Sequence, residues 1–305
     1  MSAQLTYLEA VLVGASQGVT ELFPVSSLGH SVLIPALVGG RWAQDLNISA
    51  PGSPYLAFIV GLHVATAAAL LVFFWRDWLR IMAGFVSSLR FRRIQSADER
   101  LAWLIVVATI PTGLAGLALE HLFRTTLGKP IPAATFLLIN GIVLYVGEVL
   151  RRRVAPASPA ALVAADQLGH TGTAVDNRLA ELPLRRGVLI GSAQILALLP
   201  GISRSGIAMV AGLWRGLSHE DAARFSFLLA TPIILAAGVY KIPDLFGPVG
   251  AGVHGQVLVG SVASFICAYL AVRYLTHYFQ TRTLTPFAIY CCLVGAASLA
   301  WLTLR

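Results

Sequence analysis

Six apolar stretches, each close to the roughly 20 residues that a helix needs to cross a hydrocarbon core, constrain this chain more than any other feature. They run from Tyr55 to Trp75, Leu101 to Leu119, Pro132 to Leu150, Ala222 to Lys241, Val257 to Thr276 and Pro286 to Leu304. Only 12% of the 305 residues are charged and 57% are hydrophobic, against about 25% charged in an average soluble domain. Such a chain cannot cover a core with polar surface, whereas a bilayer accepts apolar side chains outside as well as inside. Pro111 and Pro232 interrupt two of the stretches, which a membrane helix tolerates when neighbours satisfy the freed carbonyls.

The net charge of +8 does not read as a nucleic-acid footprint. The basic residues are 22 in number, almost all Arg, and they cluster between apolar runs, which is the pattern of membrane orientation. Arg76, Arg80, Arg90, Arg92, Arg93 and Arg100 follow the first span, and Arg151, Arg152, Arg153, Arg178, Arg185 and Arg186 follow the third. Both segments are expected in the cytoplasm, with residues 41–54, 125–129 and the terminal Arg305 outside. Cys267, Cys291 and Cys292 lie in apolar stretches without a CxxC pair, against disulfides and structural zinc. Met1 to Ala10 holds no Lys or Arg and carries Glu9, so it reads as a retained segment and not a signal peptide.

Two further apolar segments are broken midway by Pro and small polar residues. One reads Gly14-Ala-Ser-Gln17-Gly-Val-Thr-Glu21-Leu-Phe-Pro24-Val-Ser26-Ser27-Leu-Gly29-His30, the other Gly191-Ser-Ala-Gln194-Ile-Leu-Ala-Leu-Leu-Pro200-Gly201-Ile-Ser203-Arg204-Ser205-Gly206. With a one-residue gap, Gly14 aligns with Gly191, Gln17 with Gln194, Pro24 with Pro200 and Ser27 with Ser203. Three spans follow each. If each broken segment returns to the side it entered from, the repeats must run oppositely through the membrane. The fold class expected is therefore all-α and membrane-integral: about six transmembrane helices plus two re-entrant hairpins in an inverted repeat. Its first repeat occupies about 1–150, a cytoplasmic linker about 151–186 and the second repeat about 187–305. Val154 to Glu181, rich in Ala, Gly, Thr and Asp, is expected to be flexible. Paired broken helices of this kind meet near the midplane and form the binding site there.

Ionisable residues at lipid depth are functional candidates by default, and Glu21, His30 and Arg204 lie at or beside the breaks. Gln17 and Glu21, four apart, share a helix face and could hold one hard cation through oxygens; a helix–helix hydrogen bond is the plainer reading. Ser26 and Ser27 suit an N-cap at the start of a new half-helix, whose free N–H groups and dipole favour an anion. Ser27 beside His30 matches a nucleophile and its base; caps and a carbonyl-bound imidazole are the alternative. At the second tip Arg204 offers a fork for phosphate oxygens, Ser203 and Ser205 add hydroxyls, and Gly201 and Gly206 admit a ligand to the backbone. A structural ion pair with Glu21 is the competing role for Arg204. His63, Glu9 and Glu148 read as buried or interfacial structural groups.

These two motifs together resemble the signatures of the bacterial undecaprenyl pyrophosphate phosphatase family, also known for bacitracin resistance. Lesser similarities extend to Arg224-Phe-Ser-Phe-Leu-Leu-Ala230 and Pro286-Phe-Ala-Ile-Tyr290. The resemblance implies a multi-pass inner-membrane hydrolase that converts the C55 isoprenoid diphosphate to the monophosphate, recycling the carrier for peptidoglycan synthesis. It implies a site that opens to the periplasm and a divalent cation, Mg2+ or Ca2+, as cofactor. Carried over by position, Glu21 with Gln17 belongs to the metal or acid/base group and Ser27 is the nucleophile. His30 is its proton-transfer partner, and Arg204 with Ser203 holds phosphate. Gln17 stands where many members have Glu, and Leu28 where many have Thr. Whether Ser27 or a metal-bound water attacks phosphorus is left open, as is a homodimer. The partners expected are a polyprenyl diphosphate and membrane lipid, with no nucleic acid. The alternative function is a transporter or flippase for an anionic or lipid-linked phosphate, since inverted repeats with broken helices are common there.

The Arg asymmetry fixes a topology that labelling can read. A cysteine at position 92 should stay unlabelled by an impermeant thiol reagent on intact cells and react once the membrane is opened; strong labelling of intact cells would contradict the orientation.

Overall fold

A computed structural model describes residues 5–46, 54–154, 172–247 and 252–304, and among them all regular structure is helical. The helices are α1 (Tyr7–Leu22), α2 (Ser27–Val38), α3 (Gly40–Asp45), α4 (Pro54–Phe73), α5 (Trp75–Phe91), α6 (Ala97–Leu127) and α7 (Pro130–Val154). The second part holds α8 (Gly172–Ala180), α9 (Leu184–Ala193) with a 3-10 turn (Gln194–Leu198), α10 (Arg204–Trp214), α11 (His219–Phe246), α12 (His254–Thr281) and α13 (Thr285–Leu304).

Among the described residues five helices, α6, α7, α11, α12 and α13, are long and apolar enough to cross a membrane. The remaining expected span is α4, which bends by 86° into α5. Pro111 sits inside α6 and Pro232 inside α11 without ending either.

The Arg-rich segment after the first span is more ordered than its charge suggested. Leu79, Met82, Val86 and Leu89 recur every three or four residues along α5 and are all at least half exposed. Ile81, Gly84 and Ser88 face inward. A helix turned from the preceding span, with an apolar exposed stripe and flanking arginines, has the build of one lying in the membrane interface.

A second correction falls on the expected linker, of which 155–171 lie outside the described residues. Its remainder does not run as a flexible strand of chain. Residues 172–180 form α8, with Val175, Asp176 and Leu179 buried. Asp176 accepts from Arg224 (Nε at 2.7 Å, Nη2 at 2.9 Å) and from Arg80 Nη2 at 2.5 Å. Arg224 also reaches Asp77 at 3.1 Å and stands over the Phe74 ring. Arg178 pairs with Asp221 and Glu220 on α11. Composition made this stretch look solvated, but its charges have partners on α5 and α11, and that docking holds the helix.

The two broken segments pack in matched ways. α1 lies along α12, and α9 lies along α6, while α4 meets α11 and α7 meets α13. Exchanging the two halves maps α1·α12 onto α9·α6, so the packing is compatible with the expected inverted repeat. Two aligned glycines make these approaches. A Cβ on Gly14 would collide with the Gly260 carbonyl of α12, and one on Gly191 with the Ala108 carbonyl of α6. Only glycine permits backbones so close.

Candidate active site

Each break leaves the end of one helix and the start of another inside the protein, and the unpaired backbone groups there need partners. Ser26 caps α2 by accepting from Gly29 N–H at 3.2 Å, and Ser203 caps α10 by accepting from Gly206 N–H at 3.1 Å. The caps revise the register of the repeat: Ser26, not Ser27, is the counterpart of Ser203. The offset of 177 that joins Gly14 to Gly191 and Gln17 to Gln194 then continues without a gap, and Ser27 falls opposite Arg204. Both are the first residues of their half-helices.

The tips are tied to one another. Ser26 Oγ accepts a second hydrogen bond, from Gly201 N–H at 3.2 Å. Ser205 Oγ donates to the Phe23 carbonyl at 3.2 Å and contacts Ser203 Oγ at 3.1 Å. Asn140, on α7 and fully buried, bridges them: its Nδ2 donates to the Pro24 carbonyl at 3.1 Å and its Oδ1 accepts from Ser203 N–H at 2.9 Å. Ser26 holds φ 69°, a left-handed value that costs a non-glycine residue energy and persists where surroundings enforce it. Gly201 at φ 114° fits against the backbone of Ala133 and Leu137.

Around this junction the chemical side chains converge on Glu21, which is 7% exposed. Ser27 Oγ donates to Glu21 Oε2 at 2.5 Å, Gln17 Nε2 donates to the same oxygen at 3.0 Å, and Arg204 Nη2 donates to Oε1 at 3.0 Å. His63 from α4 places Nε2 at 3.5 Å from Oε2 and at 3.3 Å from Gln17 Nε2. A buried carboxylate needs such donors in place of water. Two polar atoms of this cluster, Arg204 Nη1 and Gln17 Oε1, are buried without a hydrogen-bond partner among the described residues. One is a cationic donor free for an anion, the other an acceptor free for a cation or a donor.

Of the residues singled out in sequence, Glu21, Ser27, Gln17 and Arg204 come together. His30 does not join them through Ser27: its Nδ1 bonds the Ser26 carbonyl at 2.7 Å, and its Nε2 meets Tyr290 Oη at 2.8 Å. The hydroxyls of Ser26, Ser203 and Ser205 are engaged in caps and inter-tip bonds, and Gly201 gives its N–H to Ser26. His63, Asn140 and Tyr290 are additions. The rule that flagged Glu21, a polar group at lipid depth, applies equally to His63 and Asn140, but only packing shows which such groups meet. Glu148 binds His219 Nε2 at 2.7 Å, and Glu9 completes a capping box with Thr6.

Gln17 turns its Nε2, not its oxygen, to Glu21, and both carboxylate oxygens already accept from Ser27, Gln17 and Arg204. A hard cation such as Mg2+, which takes one or two carboxylates and completes its shell with phosphate and water, would need the Gln17 amide turned over to be held here. Among the described residues no group of three or more His, Cys, Asp or Glu is placed to cage a metal alone.

Fold and cluster together define a multi-pass helical membrane protein with a polar site built where two interrupted helices meet. The family model described as bacitracin resistance protein BacA matches residues 10–297. The chain is 80% identical, across the whole of both chains, to a Mycolicibacterium paratuberculosis protein named undecaprenyl-diphosphatase. It is 48% identical to undecaprenyl-diphosphatase 1 of Frankia casuarinae, with 96% of this chain and 97% of that one covered. It is 44% identical to the undecaprenyl-diphosphatase of Acidiphilium cryptum, with 97% and 98% covered. This chain belongs to the BacA family.

Asn140 gives the junction a direct test. Asn140→Leu leaves the Ser203 N–H buried without its partner, at about 1–3 kcal/mol, and the Pro24 carbonyl with only the weak Cys291 thiol at 3.8 Å. The variant should unfold at markedly lower denaturant in detergent, with Asn140→Asp intermediate; an unchanged midpoint for the leucine variant would remove Asn140 from the account.

Proposed function

We propose that this chain is a membrane phosphatase that hydrolyses undecaprenyl diphosphate to undecaprenyl phosphate and inorganic phosphate, returning the lipid carrier to cell-wall synthesis. The observation that carries the chemistry is the convergence of Ser27, Arg204 and Gln17 on Glu21 where the two half-helices begin. The reading has the support of relatives that bear the undecaprenyl-diphosphatase name over nearly their whole length.

The terminal phosphate sits between the two half-helix N-termini, whose N–H groups and dipoles favour negative charge. The free Nη1 of Arg204 takes one of its oxygens. Ser27 Oγ attacks the terminal phosphorus; its proton passes to Glu21 Oε2, to which it is already bonded. The bond from phosphorus to the bridging oxygen breaks, and undecaprenyl phosphate leaves with the electron pair. Water then attacks the seryl phosphate, giving up a proton as Ser27 recovers its own, and inorganic phosphate departs. Arg204 and the N–H groups act on the charge that spreads over the equatorial oxygens in each transition state. A divalent cation, were Gln17 turned to offer its oxygen beside the Glu21 carboxylate, would supply further neutralisation of the diphosphate. The mouth of the site faces the periplasm, as the family resemblance implies.

A transporter shares the broken helices and the arginine, but has no need of a hydroxyl bonded to a carboxylate beside them. Purified protein in detergent should release phosphate from a long-chain prenyl diphosphate and lose that activity with chelator. Ser27→Ala should retain less than about 1% of turnover, a loss of roughly 2.7 kcal/mol in the barrier. Retention above about a tenth would assign the attack to water, and lipid transfer without phosphate release would overturn the hydrolase reading.

A further inference from the structure

The proposed reaction leaves one buried ionisable side chain of the first tip without a part in it. His30 is 7% exposed, and both of its ring nitrogens are taken by groups other than Ser27. Nδ1 lies 2.7 Å from the Ser26 carbonyl. A carbonyl only accepts, so this nitrogen carries a hydrogen whatever the charge of the ring. Nε2 lies 2.8 Å from Tyr290 Oη. A phenol can donate or accept, so that contact stands in either protonation state of the imidazole. The two rings are nearly parallel, with 11° between their planes and centroids 5.8 Å apart.

The residue that His30 grips is the strained one. Ser26 holds φ 69° and ψ 99°, and its carbonyl accepts from the His30 backbone N–H at 3.2 Å as well as from the ring. Ser27 follows as the first residue of α2, so the conformation of Ser26 decides where the Ser27 hydroxyl points, which is back across the break to Glu21. The partner of His30 comes from the far end of the chain. Tyr290 closes Pro286-Phe-Ala-Ile-Tyr290, a stretch singled out in the sequence that the reaction does not use. Its neighbours hold the same turn: Phe287 packs edge-on against Phe23 with centroids 5.5 Å apart, and the Cys291 thiol faces the Pro24 carbonyl at 3.8 Å. This part of α13 therefore grips residues on both sides of the break.

We propose that Tyr290 is a positioning residue that acts through His30: it fixes the imidazole across the Ser26 carbonyl, and the imidazole holds the turn that aims the Ser27 hydroxyl at Glu21. His30 works as a strut on the backbone and transfers no proton in the reaction. A left-handed residue persists only where its surroundings outweigh the strain, and a ring pinned at both nitrogens is a stiff support for it. The inference rests on the reading of Ser27 as the nucleophile of a phosphatase.

The test is a double-mutant cycle between positions 30 and 290 in the full chain in detergent. It is read both as phosphate release from a long-chain prenyl diphosphate and as the thermal midpoint. His30→Asn places an amide nitrogen where Nδ1 stands and keeps the bond to the Ser26 carbonyl, whereas His30→Gln reaches Tyr290 and loses that bond. Tyr290→Phe should lower kcat about 5-fold or more and leave KM within about 2-fold, because the phenol acts on the turn and not on the substrate. His30→Asn should keep more than about a tenth of the wild-type kcat and His30→Gln less than about 1%, the scale of a misplaced reacting group. Adding Tyr290→Phe to His30→Asn should cost nothing further in rate or midpoint, since the partner of the phenol is already gone. A His30→Asn protein as inactive as His30→Gln would make His30 a proton-transfer group and overturn the proposal. So would a Tyr290→Phe protein with unchanged kcat, one impaired in KM alone, or one that loses the same factor in both backgrounds. If the wild type releases no phosphate, the hydrolase reading falls and the midpoint decides the strut by itself. Tyr290→Phe should then lower the midpoint by about 2 °C, the scale of one hydrogen bond, in the wild type and not in His30→Asn; equal shifts in the two would sink it.

Discussion

One buried carboxylate governs the centre of this protein. Glu21 is buried among helices, where an ionised group without partners costs several kcal/mol, and no single element can supply what it needs. Gln17 comes from its own helix, Ser27 from the half-helix after the break, Arg204 from the second half of the chain and His63 from the first span. The two tips therefore have to meet, and the rest of the architecture can be read as the means of bringing them there. Gly14 and Gly191 let each broken segment press onto a span of the other half, and Asn140 fastens the backbones of the two turns.

The same interaction sets up chemistry. A carboxylate that accepts from a hydroxyl is where that hydroxyl's proton goes, and a guanidinium with one nitrogen satisfied by the carboxylate keeps the other for an incoming anion. Ser27 and Arg204 hold the first positions of the two half-helices, so matching places project a hydroxyl from one and a cationic fork from the other. The roles of Ser26 and Ser203 are alike, because both caps satisfy the same backbone groups.

Much of this could be read from residue order. Apolar length marked the spans, Pro with small polar residues marked the breaks, and the cost of charge in lipid pointed to Glu21 and Arg204. What escaped reading has two causes. α5 is amphipathic, and its arginines hid the stripe of Leu79, Met82, Val86 and Leu89; the register of the repeat turned on which serine caps, which a one-residue gap at the prolines obscured. Both were local signals masked by louder ones. α8 is polar because Asp176 and Arg178 meet partners far away in sequence, not because it is solvated, and His63 and Asn140 acquire meaning only from what they touch; there the missing information was a tertiary contact that no local pattern encodes.

The central claim is that Glu21 and Arg204, 183 residues apart, act as one unit on the substrate's terminal phosphate. A double-mutant cycle on kcat/KM for phosphate release, with Glu21→Gln, Arg204→Lys and the pair, measures this most directly. The double variant should be little worse than the poorer single one, with a coupling above about 1 kcal/mol, since residues that act together are not additive. Losses that add to within about 0.5 kcal/mol would show two independent groups and contradict the account.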